Sequence, residues 1–280
     1  MKATDALRTI ARSAALTVAI SLGAGAAFSA DGGARGFVWH DLLTEDPAGA
    51  SRFYGAVFGW EFVDVEDDPG YTLIRNAGQD IGGIVLHEEE GTAGDTDSLW
   101  LSWLSVADMD AALTAAERAG AKILDGPYDE PGVGRLVILE DLDGVPVALS
   151  RLSEGGPTAQ PPAPGRFVWS DLFTPEPARA EDFYTMVAGL DAGPRPEPAP
   201  TASRILRSGG TARAGLVPLF WSKGAPGWIP YVGVADVDEA IRRAQKAGGV
   251  LLVRQRDTAL LRDAVGGTFG IESLKWEGRP

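Results

Sequence analysis

The sequence predicts an α+β protein built from two tandem copies of one domain, each copy a pair of β-α-β-β-β modules. Three observations carry this. The stretch Phe37–Trp60, FVWHDLLTEDPAGASRFYGAVFGW, returns at Phe167–Leu190 as FVWSDLFTPEPARAEDFYTMVAGL, without a gap. Phe37/Phe167, Trp39/Trp169, Asp41/Asp171, Pro47/Pro177, Tyr54/Tyr184 and Gly59/Gly189 are among the identical pairs, so an internal repeat governs the architecture. Trp100–Asp108 returns in the same way as Trp228–Asp236. Finally, residues 153–165, SEGGPTAQPPAPG, have the Gly/Pro composition of a linker between domains. The expected limits are an export signal at 1–30, a first domain at 35–152, the linker at 153–165 and a second domain at 166–277.

Within the first copy, Phe37, Val38 and Trp39 favour an extended, half-buried strand. Period-2 alternation puts Trp39, Asp41 and Leu43 on one face, and Val38, His40 and Leu42 on the other. Asp46-Pro47 is a helix start, with Asp as N-cap and Pro at the first helical position. Ala50, Phe53, Tyr54 and Val57 make the buried stripe, and Gly59 ends the helix. Residues 60–65, 71–76 and 81–86 follow as three short strands, with Gly82-Gly83 and Gly209-Gly210 read as turn or bulge glycines. The second module has a strand at 99–106 and a helix from Met109 to Ala119 between Asp108 and Gly120. Strand pieces at 123–124, 136–139 and 146–149 complete it. In the second copy the Pro-rich stretch 194–200 displaces part of a strand. His87 and the acidic run after it are expected to form a solvated loop.

Composition narrows the function. The chain has 280 residues, a formal net charge of −14, no Cys and two His. Phosphate-backbone binding needs clustered Lys and Arg, so no nucleic-acid partner is expected. Without Cys there is no disulfide, thiolate nucleophile or Cys-based metal site. Lys2, Arg8 and Arg12 precede an apolar run that ends in Ala27-Phe28-Ser29, the pattern of a cleaved export signal. This implies a periplasmic or secreted protein with no stable membrane insertion after cleavage.

The stretch FVWHDLLTEDPAGASRFYGAVFGW, with VADMDAALTAAERAGA and LEDLDGVPVALS, resembles the vicinal oxygen chelate (VOC) superfamily of glyoxalases, bleomycin-resistance proteins and extradiol dioxygenases. More narrowly it is similar to tandem, two-domain glyoxalase-like proteins. The resemblance implies sheets curled into an open cup around a ligand, with the two domains pairing inside one chain as a family homodimer would. It also implies three inward metal-ligand positions per cup. Here these are Trp39, Leu101 and Ala148 in the first copy, and Trp169, Ile229 and Gly270 in the second. None of these side chains can ligate a divalent ion. His40 lies one residue from such a position on the opposite strand face, and is expected to be a partly buried structural histidine near a helix. Glu272 falls near the end of the last strand.

The expected ligand residues are therefore Trp39, Asp41 and Trp103 in the first cup, and Trp169, Asp171 and Tyr231 in the second. Aromatic faces beside a carboxylate suit a flat or cationic small molecule. The leading expectation is an exported protein that binds a small molecule without a metal cofactor. One alternative is a metal-dependent glyoxalase-like lyase, isomerase or dioxygenase with a displaced metal site. The other is a structural or interaction module whose cups are filled by their own aromatics. Large aromatics on sheet faces are core more often than ligand cage, and an inward carboxylate is either a capped structural acid or the anchor of a site.

Overall fold

The computed structural model describes residues 36–66, 68–87, 98–130, 133–153, 161–196, 199–220 and 225–275. The export segment, the run Glu88–Glu90 and the middle of the linker lie outside the described residues. In the first domain the order is β1 (Phe37–Thr44), α1 (Pro47–Phe58), β2 (Glu61–Val65), β3 (Asp68–Asn76), β4 (Gln79–Leu86), β5 (Leu99–Ser105), α2 (Met109–Ala119), β6 (Lys122–Glu130), β7 (Gly134–Glu140) and β8 (Pro146–Leu152). The second domain repeats it with β9 (Phe167–Thr174), α3 (Pro177–Ala188), β10 (Asp191–Pro194), β11 (Arg204–Ser208), β12 (Thr211–Pro218), β13 (Gly227–Val234), α4 (Val237–Lys246), β14 (Val250–Arg254), β15 (Thr258–Arg262) and β16 (Thr268–Ser273). Each domain is one eight-stranded sheet, ordered β2-β3-β4-β1-β5-β8-β7-β6 and β10-β11-β12-β9-β13-β16-β15-β14. The fold is α+β with two matching domains.

Helix ends obey the local chemistry. Asp46 Oδ1 accepts the Gly49 N–H at 2.8 Å and Asp108 Oδ1 the Ala111 N–H at 3.0 Å, each satisfying an otherwise orphaned donor. Gly59, Gly120 and Gly189 close their helices in the left-handed region that a Cβ disfavours. Glu176 sits at the start of α3 without a side-chain cap bond, so Pro177 carries that start alone. Strand β6 runs well past the expected 123–124, crossing Gly126-Pro127 through two register shifts. Strand β10 has only four residues before the Pro-rich stretch, as expected.

Strand parity sorts the apolar residues into inner and outer cores. The inward faces make one cluster per domain, around Trp39, Tyr71 and Trp103 in the first and Trp169, Phe173 and Tyr231 in the second. The outward faces are shared between domains. Phe53, Tyr54 and Trp100 pack with Val234, Ile241 and Phe269, while Met109, Leu139 and Leu149 pack with Phe183, Tyr184 and Trp228. Each helix packs on its own domain's sheet and meets a helix of the other domain, α1 against α4 and α2 against α3.

Two cross-domain relays repeat this pairing. Trp100 Nε1–H donates to Tyr54 Oη at 3.0 Å, and Tyr54 donates to Asp263 Oδ2 at 2.6 Å. Trp228 Nε1–H donates to Tyr184 Oη at 2.9 Å, and Tyr184 donates to Asp141 Oδ2 at 2.8 Å. The end of the linker is fastened too, with Trp60 Nε1–H on the Gly165 carbonyl at 2.6 Å.

His40 differs from its expected setting. It is fully buried against Phe167 of the second domain (ring centroids 4.3 Å apart) rather than against a helix, and its Nδ1 pairs with Ser102 Oγ at 3.0 Å. Burial drives its pKa down to about 3, so it stays neutral. Its strand face is the interface, pointing away from the cup. Gly82 and Gly83 are also more than turn glycines. They lie inside β4, where a Cβ at Gly82 would overlap the His40 carbonyl and one at Gly83 the Tyr71 hydroxyl.

Candidate functional site

Both cups are built on the same three floor strands. In the first, Trp39 is opposite Trp103, Asp41 opposite Leu101, and Trp103 beside Ala148. In the second, Trp169 is opposite Tyr231, Asp171 opposite Ile229, and Tyr231 beside Gly270. The expected site residues therefore meet as two separate trios, one per cup, with all six side chains buried.

In the first cup the carboxylate is sealed by neutral donors. Asp41 Oδ1 accepts Trp39 Nε1–H at 3.0 Å and the Tyr71 hydroxyl at 2.8 Å. The Trp103 N–H also favours the charge, without reaching hydrogen-bonding distance. Burial outweighs all three donors and pushes the Asp41 pKa up to about 6. Tyr71 is held well above the usual phenol range by the same burial and by the Asp41 charge. Leu73, Leu101, Val133 and Leu136 belong to the same apolar cluster, while Trp39, Asp41 and Tyr71 spend their polar groups on one another.

The second cup departs from this at one decisive position. Register places Ser203, just before β11, where β3 carries Tyr71, since Leu73 and Ile205 both face the glycine beside the aspartate. The missing aromatic ring is replaced from outside the sheet. Arg195, just past β10, reaches in with its side chain only 12 % exposed and donates Nη1–H to Asp171 Oδ1 at 2.7 Å. Its guanidinium lies 5.7 Å from the centre of the Trp169 ring, while Trp169 Nε1–H donates to the same Asp171 oxygen at 2.8 Å. Burial alone pulls the guanidinium pKa down, but the Asp171 charge and hydrogen bond outweigh it and hold Arg195 protonated. A cation does sit on the Trp169 face beside Asp171, and it is the chain's own.

A cavity of about 490 Å³ opens beside this pair. Phe173, Val217, Phe220, Tyr231 and Leu260 give it apolar walls, and Asp171, Arg195 and Glu272 supply its deep polar groups. Glu272 is 1 % exposed and two residues beyond Gly270, so alternation turns it inward. Burial, then the Asp171 charge, raises the Tyr231 hydroxyl well above the phenol range, and Arg195 opposes that shift. A Cβ on Gly270 would overlap the Tyr231 ring, so the glycine lets that ring lie on the floor.

Tyr71 and Arg195 carry no mark of a site in the sequence, and the strand register that turns Glu272 inward is visible only in the structure. Arg195 sits in a Pro-rich stretch with no strand alternation to say where it points. The signal for Tyr71 is its correspondence to Ser203 in the other copy, which needs the β3–β4 and β11–β12 registers.

The curled eight-stranded sheets, paired back to back around shared helices, define a glyoxalase-like cup protein. Residues 36–149 match the family model of the Glyoxalase/Bleomycin resistance protein/Dioxygenase superfamily. The match spans the first domain, and the second domain repeats that domain's strand order. The chain is 29 % identical over 267 residues to the anthracycline biosynthesis protein DnrV of Streptomyces peucetius, covering 86 % of this chain and 94 % of that one. The Mn(II)-bound glyoxalase of Novosphingobium aromaticivorans superposes with a TM-score of 0.60 at 17 % identity, over 86 % of this chain and 82 % of that one. Homoprotocatechuate 2,3-dioxygenase of Brevibacterium fuscum, in complex with 3,4-dihydroxyphenylacetate, gives 0.61 at 14 % identity, over 87 % and 82 %. At such identities the two structures speak for the fold alone.

These neighbours raise the question of a divalent metal, and the donor set answers it. Trp39, Leu101 and Ala148, and Trp169, Ile229 and Gly270, do line the cups, but none offers a lone pair suited to an ion. Among the described residues no three His, Asp or Glu side chains are grouped to hold one. In the second cup Asp171 already carries a guanidinium. The residues present do not fit a resident divalent ion at the family's positions.

Proposed function

We propose that the chain is a small-molecule-binding protein whose working site is the second cup, and that it takes a planar aromatic ligand there without a metal. The observation that carries this is the 490 Å³ cavity walled by Phe173, Phe220 and Tyr231, with a few fixed polar groups at its base. Its size and make-up are those of a ligand site, apolar with sparse orienting polar groups. The likeness to DnrV, an anthracycline biosynthesis protein, supports a ligand of fused flat rings. Arg195 already takes the cation place on Trp169, which favours a flat ligand over a cationic one. The first cup, where Trp39, Asp41 and Tyr71 satisfy one another, serves as the structural partner that completes the shared cores.

The test is a thermal-shift and calorimetric screen of planar aromatics against protein dialysed with EDTA, beside a Leu260→Trp variant that fills the cavity. Binding to the stripped wild type and its loss in a variant that still folds are expected. Binding that appears only on adding Mn, Fe, Ni or Zn would contradict the metal-free reading. For location, we propose export with removal of residues 1–30. Intact mass of protein from the outside of the producing cell tests it, and a full-length chain retained inside would contradict it.

A further inference from the structure

The polar groups of the second cup stand on two walls and differ in kind. On one wall the Arg195 guanidinium is fixed before any ligand arrives, by Asp171 at 2.7 Å and the face of Trp169. A guanidinium carries five N–H donors, and the bond to Asp171 takes one of them. On the other wall Glu272, on β16 between β13 and β15, brings a carboxylate into the same cavity. Its charge is felt at both Arg195 and Tyr231. A carboxylate accepts at about four lone-pair sites, so it keeps acceptor capacity beyond its own contacts.

The cavity as a whole is charge-balanced. Arg195, Arg256 and Lys275 line it together with Asp171, Asp257 and Glu272. Arg195 is paired with Asp171, and Arg256 lies 3.9 Å from Asp257. A charged ligand entering this site would bury a net charge without a counter-charge, which costs more than it gains. A neutral ligand that accepts at one end and donates at the other meets both walls. The first cup cannot offer this, because Tyr71 meets its aspartate and Ser150 stands where Glu272 would be.

We propose that the second cup selects an uncharged planar aromatic carrying a carbonyl at one edge and a hydroxyl at the other, the carbonyl received by Arg195 and the hydroxyl by Glu272. This rests on the second cup being the ligand site. The flat ring lies between Phe173, Phe220 and Tyr231, and the two polar walls fix which way round it sits.

Four naphthalene probes test it by calorimetry on the full chain. They are 6-acetyl-2-naphthol, with both groups; 2-acetylnaphthalene, with the carbonyl alone; 2-naphthol, with the hydroxyl alone; and anionic 6-hydroxy-2-naphthoate. The two-group probe binds best, by roughly 10-fold or more over each of the others, as expected for a hydrogen bond to a charged partner. Glu272→Gln shrinks its advantage over 2-acetylnaphthalene. Because Arg195→Met strands Asp171, the charge-balanced double variant Asp171→Asn/Arg195→Met serves on the other wall and shrinks the advantage over 2-naphthol. Equal affinity for all four probes, or preference for the carboxylate, overturns the inference and leaves the ligand site standing. Failure of all four to bind removes both.

Discussion

Asp41 and Asp171 occupy the same place in two copies of one domain, yet they meet different partners. Asp171 meets a guanidinium, whereas Asp41 meets only an indole and a phenol. With its folded pKa raised from 3.8 to about 6, Asp41 holds a proton in the native state over a range where the unfolded chain has lost it. Between those values the native state binds more protons, so stability falls as pH rises from about 4 to about 6, and the effect is flat above. A rise from 3.8 to about 6 corresponds to roughly 3 kcal/mol. Urea denaturation at pH 4 and pH 7 checks this. Asp41→Asn gains stability relative to wild type between the two pH values, and parallel behaviour of the two proteins would contradict it. Asp41 and Asp171 were legible as inward carboxylates because period 2 fixes which face a strand residue shares. Their different partners were not, since one comes from β3 through register and the other from an irregular loop.

Among the elements, β4 and β12 and the cross-domain helices decide most. Gly83 and Gly215 let a strand pass beside its aspartate, and a Cβ at Gly215 would overlap the Asp171 carboxylate. Gly215→Ala is therefore expected to cost about 1–3 kcal/mol through overpacking and to loosen the Arg195–Asp171 pair. The checks are chemical denaturation and loss of the salt-sensitive part of stability. Helices α1 and α3 each reach the other domain through a buried tyrosine. Removing its hydroxyl leaves a buried carboxylate short of a donor, so Tyr54→Phe and Tyr184→Phe each cost about 1–3 kcal/mol. A cost within about 0.5 kcal/mol in denaturant titration, the level typical of bland surface changes, would contradict the role of the relays. The helices themselves were readable, because Asp46-Pro47, Asp108 and the closing glycines carry their own start and stop chemistry. Strand β6 was harder. Gly126-Pro127 reads as a break, and only the pairing with β7 carries the strand through it.

At the scale of the molecule, the two domains hold each other's apolar surfaces. Trp100 and Phe269 meet in one shared core, and Met109 and Trp228 lie in the other. The chain is expected to unfold in a single transition despite its two domains, since separating them would expose both cores at once. An isolated first domain would present that surface to a second copy of itself. Light scattering on residues 36–153 is expected to give a dimer, and a stable monomer would contradict the shared-core account. The repeat made the double architecture plain in the sequence. What the repeat hid was divergence, because attention falls on the matching Trp-x-Asp pairs while the cups differ at Tyr71 against Ser203 and Ser150 against Glu272. The central claim is that one cup is closed and the other is a metal-free ligand site. Calorimetric titration of EDTA-treated protein with 6-acetyl-2-naphthol tests it most directly: one molecule bound per chain is predicted, and two per chain, or binding only after a divalent metal is restored, would contradict it.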